Sequence, residues 1–487
     1  MKPAKTLRYC FIGFEMINAS INEIYHAMVN VVEQHTGQVV RHKNPPLRLL
    51  KELCLALIAT KKNSKPKIAF FVPEDGLVAN FGDIPQLLSQ MGNEIYWLYG
   101  QPHHFQRNVA ENSFLIIDDM ITNLQNVDII VTATVMDCLP KHTKNVLIDH
   151  ISFAPLQLEH KVNSIHNLSH SVKRNFQSTD EVIDEFSAYL AFLPFFDAIL
   201  TPSKPVSEVS NKIMNLIGYK SRLPMNSSPL LPEKTSRNLN LESASRFVDF
   251  SKYKNKISIF ETGYPKLDKP RQMHTNSTPE NLLIYAPTPT DDRGNKETCL
   301  WKNAITIRDY GAKILIKLCE AFPNKQIVFK PYKDEANYLV SEINEKCRKF
   351  PNYNFDQSGS DYWSLYSRAE LLISDFSSTA YSFALGIQRP VIFFSPNEKI
   401  LPRVVIEGSY CGGRNMIGDV VNSISELEST INKVLLKYDE KCKKVRKFSK
   451  EQFPNIGRAS SEAAKVIDAM VRDELPKSGV PYCTWYK

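Results

Sequence analysis

Residues 371–386 read LLISDFSSTAYSFALG, and this stretch decides the fold of the second half of the chain. Its apolar beginning predicts a buried strand, its hydroxyl residues predict the start of a helix, and Gly386 predicts the end of that helix. A second apolar run, Val391–Phe394, follows closely. The segment therefore predicts a strand, a helix and another strand.

The hydroxyl residues at the predicted helix start indicate a phosphate site. A helix N-terminus has unpaired N–H groups and a partial positive charge, so it binds phosphate well. Ser377, Ser378 and Thr379 would add hydroxyl donors to the same anion. The alternative is that these hydroxyls only cap the helix.

Both halves of the chain alternate apolar runs of strand length with helical patterns. This alternation predicts an α/β protein with two Rossmann-like, doubly wound domains that face each other across a cleft. Ligands are expected in that cleft, at the carboxyl ends of the strands. We predict an N-terminal domain over residues 1–268 with an irregular excursion at about 222–256, a linker over 269–280, a C-terminal domain over 281–465 and a tail over 466–487.

The composition argues against several classes of protein. No apolar run approaches the ~20 residues of a membrane span, and the N-terminus lacks the apolar core of a secretory signal, so we expect a cytoplasmic protein. The 9 cysteines are scattered singly, which predicts neither a disulfide framework nor a zinc site. Asp291 and Asp292 could hold Mg²⁺, but no third carboxylate lies nearby in sequence, so we predict no metal and no cofactor.

The net charge of +8 is modest for this length, and the chain has two basic clusters. One frames the apolar stretch Leu47–Ile58, and the other lies between Lys441 and Lys450. Such clusters suit an anionic membrane surface, here the inner face of the plasma membrane, or a polyanionic substrate. A solvated helix face is the alternative for each cluster. No basic–aromatic pattern predicts binding to nucleic acid.

Three segments of the second half follow predicted strands and carry groups suited to a nucleotide diphosphate. They are residues 286–293, 330–334 and 377–379. Arg293 and Lys330 can neutralise phosphate charge, and the hydroxyls can hold phosphate oxygens in a fixed geometry.

Two residues of the first half are candidate general bases. His150 directly follows a predicted strand and titrates near neutral pH, so it could take a proton from an attacking hydroxyl. It could equally be a structural histidine under a loop. Asp75, in the Glu74-Asp75-Gly76 turn, could serve as the base instead.

The second half resembles the CDP-glycerol glycerophosphotransferases of the teichoic-acid polymerase type, which have the GT-B fold. The motifs that carry the resemblance are Gly263–Asp268, Leu283–Thr288, Lys330-Pro331, Ile373–Thr379, Pro390–Phe394 and Gly457–Ser460. The resemblance implies a transferase that takes glycerol phosphate from CDP-glycerol, releases CMP and extends a cell-surface polymer such as teichoic acid, capsule or O-antigen. It assigns the first-domain base to His150.

The chain departs from this family at two positions. The family's first catalytic histidine lies in Trp-His-Gly, whereas His150 lies in Asp149-His150-Ile151, and the family's second histidine is replaced by Tyr332. The chain is also more distantly similar to bacterial CMP-sialic acid and CMP-Kdo glycosyltransferases, in which the base would be Asp75. A third alternative is an inactive GT-B scaffold that binds polysaccharide or a partner protein.

We expect a cytidine-nucleotide donor and a lipid-linked or polysaccharide acceptor. The donor-binding residues predicted from the strand-end positions and the resemblance are Thr288, Arg293, Lys330, Tyr332, Asp375, Ser377, Ser378 and Thr379.

Overall fold

The computed structural model describes residues 65–72, 75–99, 113–115, 127–134, 139–140, 142–149, 196–204, 206–207, 210, 256–274, 277–290, 304–332, 335–356, 362–401, 413–474 and 483–484. Within these ranges the strands form two separate sheets.

The first sheet has eight strands, and all but one of them run parallel. Its strands are β1 (Lys67–Val72), β2 (Glu94–Tyr99), β3 (Ser113–Leu115), β4 (Ile129–Thr132), β5 (Lys144–Ile148), β6 (Ala198–Thr201), β7 (Lys256–Glu261) and β14 (Cys483–Thr484). They lie in the order β14-β7-β6-β5-β4-β1-β2-β3, with β14 antiparallel to β7. Every residue of β1 and β4 is buried, as expected for a parallel sheet covered on both faces.

The second sheet has six parallel strands. They are β8 (Leu282–Tyr285), β9 (Gln326–Phe329), β10 (Tyr353–Phe355), β11 (Leu371–Ser374), β12 (Val391–Phe394) and β13 (Gly418–Val421). Their order is β10-β9-β8-β11-β12-β13, so the direction of winding reverses between β8 and β11. Such a switch point opens a crevice at the carboxyl ends of the strands, where ligands of open α/β sheets bind.

Helices pack around both sheets. The α-helices are α1 (Ile84–Gln90), α2 (Asp268–His274), α3 (Ile307–Ala321), α4 (Asn337–Cys347), α5 (Tyr362–Arg368), α6 (Ser378–Ile387), α7 (Arg414–Ile417), α8 (Ile424–Leu436), α9 (Tyr438–Gln452) and α10 (Ala459–Val471). Short 3₁₀ helices cover Asp75–Phe81, Pro265–Leu267 and Glu398–Ile400. In the described part of the chain, no helix is both long enough and apolar enough to cross a bilayer.

These two helix-flanked sheets confirm the predicted fold class, an α/β protein with two Rossmann-like domains. The segment 371–386 also folds as predicted, since β11 runs into α6 and β12 follows. The core of the second domain lies on both faces of its sheet, with Phe383 and Leu385 of α6 fully buried.

The last helix, α10, packs on α1 of the first domain rather than on the second sheet. Buried Asp268 begins α2 and accepts hydrogen bonds from the Ala459 and Ser460 amides at the start of α10, at 3.0 and 2.6 Å. The Ser460 hydroxyl accepts in turn from the Asp83 amide of the first domain, at 3.2 Å. The chain thus crosses from the second domain back to the first after α9.

Candidate functional site

The loops that follow β8 and β11 meet at the switch point of the second sheet. The Ala286 amide donates to the Ile373 carbonyl at 2.9 Å, and the Ser374 hydroxyl donates to the Ala286 carbonyl at 2.6 Å. These bonds bring the loop 286–290 against the segment 375–379. Two of the three predicted strand-end segments are therefore neighbours.

The Asp375 carboxylate organises this junction from inside the protein. One oxygen accepts from the Thr288 amide and hydroxyl, both at 2.7 Å, and the other accepts from the Thr306 amide and hydroxyl, both at 2.9 Å. Asp375 is only 3% exposed, and this burial raises the pKa of its carboxyl while the four hydrogen bonds oppose the rise. In this arrangement the carboxylate fixes the loop after β8 and the start of α3.

A second buried carboxylate, Glu335, holds the other side of the same loop. It accepts from the Thr290 amide at 2.6 Å, from the Thr290 hydroxyl and from the Ala336 amide at 2.8 Å. Its own amide donates to the Tyr332 carbonyl at 3.0 Å, so the loops after β8 and β9 are joined. Sequence analysis missed Glu335 because a single acid in a polar loop has no signature of such a role.

The N-terminus of α6 combines capping with exposed donors. The Ser377 hydroxyl accepts from the Thr379 amide at 3.3 Å and so caps the helix. The Thr379 hydroxyl is 2.7 Å from the Tyr366 hydroxyl, whose pKa burial raises to about 12. Ser378 is exposed. The capping interpretation of Ser377 is correct, and the Ala380 amide donates to the Ser377 carbonyl at 3.2 Å. Exposed Ser378 is therefore the hydroxyl of this helix start that remains a candidate for binding an anion.

Lys330 lies at the end of β9 and already has an anionic neighbour. Its ammonium is 2.9 Å from Asp356 at the end of β10, and both side chains are mostly buried, at 12% and 15% exposed. Tyr332, two residues further on, is 46% exposed. A phosphate near Lys330 would therefore share the ammonium with a carboxylate.

Three of the predicted site residues lie wholly or partly outside the described part of the chain. Arg293 and His150 are not described, and Asp75 begins the 3₁₀ helix Asp75–Phe81 without a described side chain. Their roles stay predictions.

Residues 242–468 match the sequence model of the family described as CDP-Glycerol:Poly(glycerophosphate) glycerophosphotransferase. The match covers the whole second sheet and its site, and the predicted resemblance is confirmed for this part of the chain. Because a glycerophosphotransferase is a transferase, the predicted class of enzyme is confirmed as well.

Solved structures that are similar to this chain include the wall teichoic acid polymerase TagF, with 15% identity, coverage of 88% of this chain and 96% of that chain, and a TM-score of 0.49. They also include MnaA of S. aureus in complex with UDP, with 9% identity, coverage of 85% and 99%, and a TM-score of 0.49. The lipopolysaccharide glycosyltransferase WaaG has 14% identity, coverage of 82% and 99%, and a TM-score of 0.41. No curated protein matches the sequence.

Proposed function

We propose that this protein transfers glycerol phosphate from CDP-glycerol to the hydroxyl of a growing cell-surface polymer and releases CMP. The observation that carries the proposal is that the family match over 242–468 includes the loops at the switch point of the second sheet. There, exposed Ser378 at the start of α6 and the Lys330 ammonium follow the carboxyl ends of β11 and β9, the two strands on either side of β8.

In this proposal His150 takes the proton of the acceptor hydroxyl. The acceptor oxygen forms a bond to the phosphorus that carries glycerol, and the bond from that phosphorus to the bridging oxygen breaks. The electron pair of that bond leaves on CMP, whose phosphate is stabilised by the helix N-terminus and the nearby cation. Tyr332 takes the place of the family's second histidine. A phenol cannot carry an imidazolium charge, so Tyr332 would donate a neutral hydrogen bond there instead.

We further propose that the protein acts at the inner face of the membrane through α9. The basic residues of this helix that are exposed are Lys443, Lys444, Arg446, Lys447 and Lys450. Clustered cations of this kind are attracted to anionic lipids by about 1 kcal/mol per residue near the surface.

A panel of nucleotides tests the donor. CMP and CDP should raise the apparent stability of the folded protein more than UMP and UDP, because a ligand that binds the native state stabilises it. CDP-glycerol should then yield CMP when a poly(glycerol phosphate) acceptor is added. Turnover of CMP-sialic acid or CMP-Kdo instead, with loss of activity in Asp75→Asn, would support the glycosyltransferase alternative. Binding of CMP without turnover of any donor would support the scaffold.

The variant Ser378→Ala tests the anion site, with Ser425→Ala at the exposed start of α8 as its control. A hydrogen bond to a charged group is worth about 1.5–3 kcal/mol, so Ser378→Ala should weaken CMP binding about tenfold or more. Equal affinities of the two variants would contradict the assignment of this site.

A further inference from the structure

Lys266 is a partly buried cation that the site described above does not use. It lies in the 3₁₀ turn Pro265–Leu267, between Pro265 and Leu267, which are both buried. In the described part of the chain no carboxylate lies within ion-pair distance of its ammonium. By contrast, five partly buried lysines elsewhere in the described chain each pair with a carboxylate. They are Lys144, Lys317, Lys325, Lys330 and Lys441.

The backbone around Lys266 places it at the ligand edge of the first sheet. The turn follows the carboxyl end of β7, and the Gly263 amide donates to the carbonyl of Thr201, the last residue of β6, at 3.1 Å. The Tyr264 hydroxyl donates to Asn80 at 3.2 Å, in the 3₁₀ helix that follows β1. Carboxyl ends of parallel strands are where α/β domains present their ligand loops.

The same turn touches the second domain. Leu267 is fully buried in the cluster that contains Tyr366 and Ala380, next to the anion site of α6. The turn therefore contacts elements of both domains, and Lys266 lies at their junction.

We propose that the Lys266 ammonium binds a phosphate group of the substrates at this junction. The proposal rests on the proposed function, whose donor and acceptor both carry phosphate. A cation removed from water needs a partner anion to offset the cost of desolvation, and within the described part of the chain the protein supplies none. Burial lowers the pKa of this ammonium because desolvation disfavours its charged form, and a bound anion would oppose that shift.

The experiment compares Lys266→Met with Lys266→Arg and with the control Lys269→Met, which removes an exposed lysine three residues later. Two kinds of measurement separate the source of the phosphate. The affinities for pyrophosphate and CDP report on the donor, and the KM for a poly(glycerol phosphate) acceptor reports on the acceptor. Lys266→Met should weaken one probe about tenfold or more, since a hydrogen bond to a charged group is lost. Lys266→Arg should recover part of that loss, and Lys269→Met should resemble the wild type.

A purely structural lysine gives a different result. Methionine would then cover the same apolar surface, and neither the pyrophosphate affinity nor the acceptor KM would change in folded Lys266→Met, which would overturn the proposal. If pyrophosphate binding depends on Lys266 but the protein shows no preference for cytidine nucleotides, the cation site stands and the proposed donor fails.

Discussion

The buried carboxylate of Asp375 gives the most direct test of the site, through the variant Asp375→Asn. Asparagine keeps one carbonyl oxygen, so two of the four donated hydrogen bonds survive. Its NH₂ group faces the other two donors, the amide and hydroxyl of Thr288 or of Thr306. Two hydrogen bonds to a charged group are worth about 3–6 kcal/mol, and removal of a buried charge returns part of this, so we expect a net loss of about 2–4 kcal/mol.

Urea unfolding of the wild type and the variant measures this loss. The control is Asp419→Asn, which weakens a pair with Lys441 whose side chains are 21% and 32% exposed and should cost less than about 1 kcal/mol. If Asp375→Asn stays within about 0.5 kcal/mol of the wild type, the four hydrogen bonds do not stabilise the loop as argued.

The pH dependence of stability should also differ between the wild type and Asp375→Asn. Burial raises the pKa of Asp375 in the folded state above its unfolded value. The native protein therefore holds this proton at pH values where the unfolded chain has lost it, and stability falls as pH rises through that window. Asp375→Asn should lack this component of the pH dependence. A wild type whose stability profile matches that of the variant would contradict the assignment.

Three further outcomes are expected. Glu335→Gln should raise the KM for CDP-glycerol and speed hydrogen exchange at the Thr290 amide, because an NH₂ group replaces one of the two oxygens that accept from Thr290. Unchanged exchange at that amide would show that Glu335 does not hold the loop. Gly263→Ala should destabilise the protein much more than Gly92→Ala in urea unfolding, since both glycines have φ above +90° but only the Cβ at Gly263 would lie 2.3 Å from a carbonyl oxygen. The wild type should bind vesicles of anionic lipid at low salt, and this binding should weaken as the salt concentration rises. A variant in which glutamine replaces four basic residues of α9 should bind the vesicles less. These residues are Lys443, Lys444, Arg446 and Lys447. Equal vesicle binding by wild type and variant would exclude this face.

Much of the fold could be predicted because the decisive signals are local. The strand Val391–Phe394 has the bounds of its apolar run, and the segment 371–386 forms the strand Leu371–Ser374 and the helix Ser378–Ile387 in the predicted order. Buried parallel strands are continuous apolar runs, and a surface helix has a regular apolar stripe, so neither needs tertiary information.

The candidate site was less accessible from sequence because its contacts join distant positions. Ser377 could be predicted at a helix start, since its cap lies two residues away. Asp375 was predicted to bind the donor, but no local pattern indicates that Thr288 and Thr306 donate hydrogen bonds to both of its oxygens. Glu335 is defined by its bonds to Thr290, 45 residues away, and Lys266 by its burial at the junction of the two domains, and no local pattern encodes either feature.

The return of α10 to the first domain has a consequence for biosynthesis. The first domain combines strands made early with a helix and an edge strand made last, so its sheet edge at β7 stays uncovered until Cys483–Thr484 has emerged. An exposed strand edge is prone to pair with another chain. During synthesis the first domain therefore presents this edge until the late strand arrives, whereas the six strands of the second sheet all lie within residues 282–421 and can pair before it.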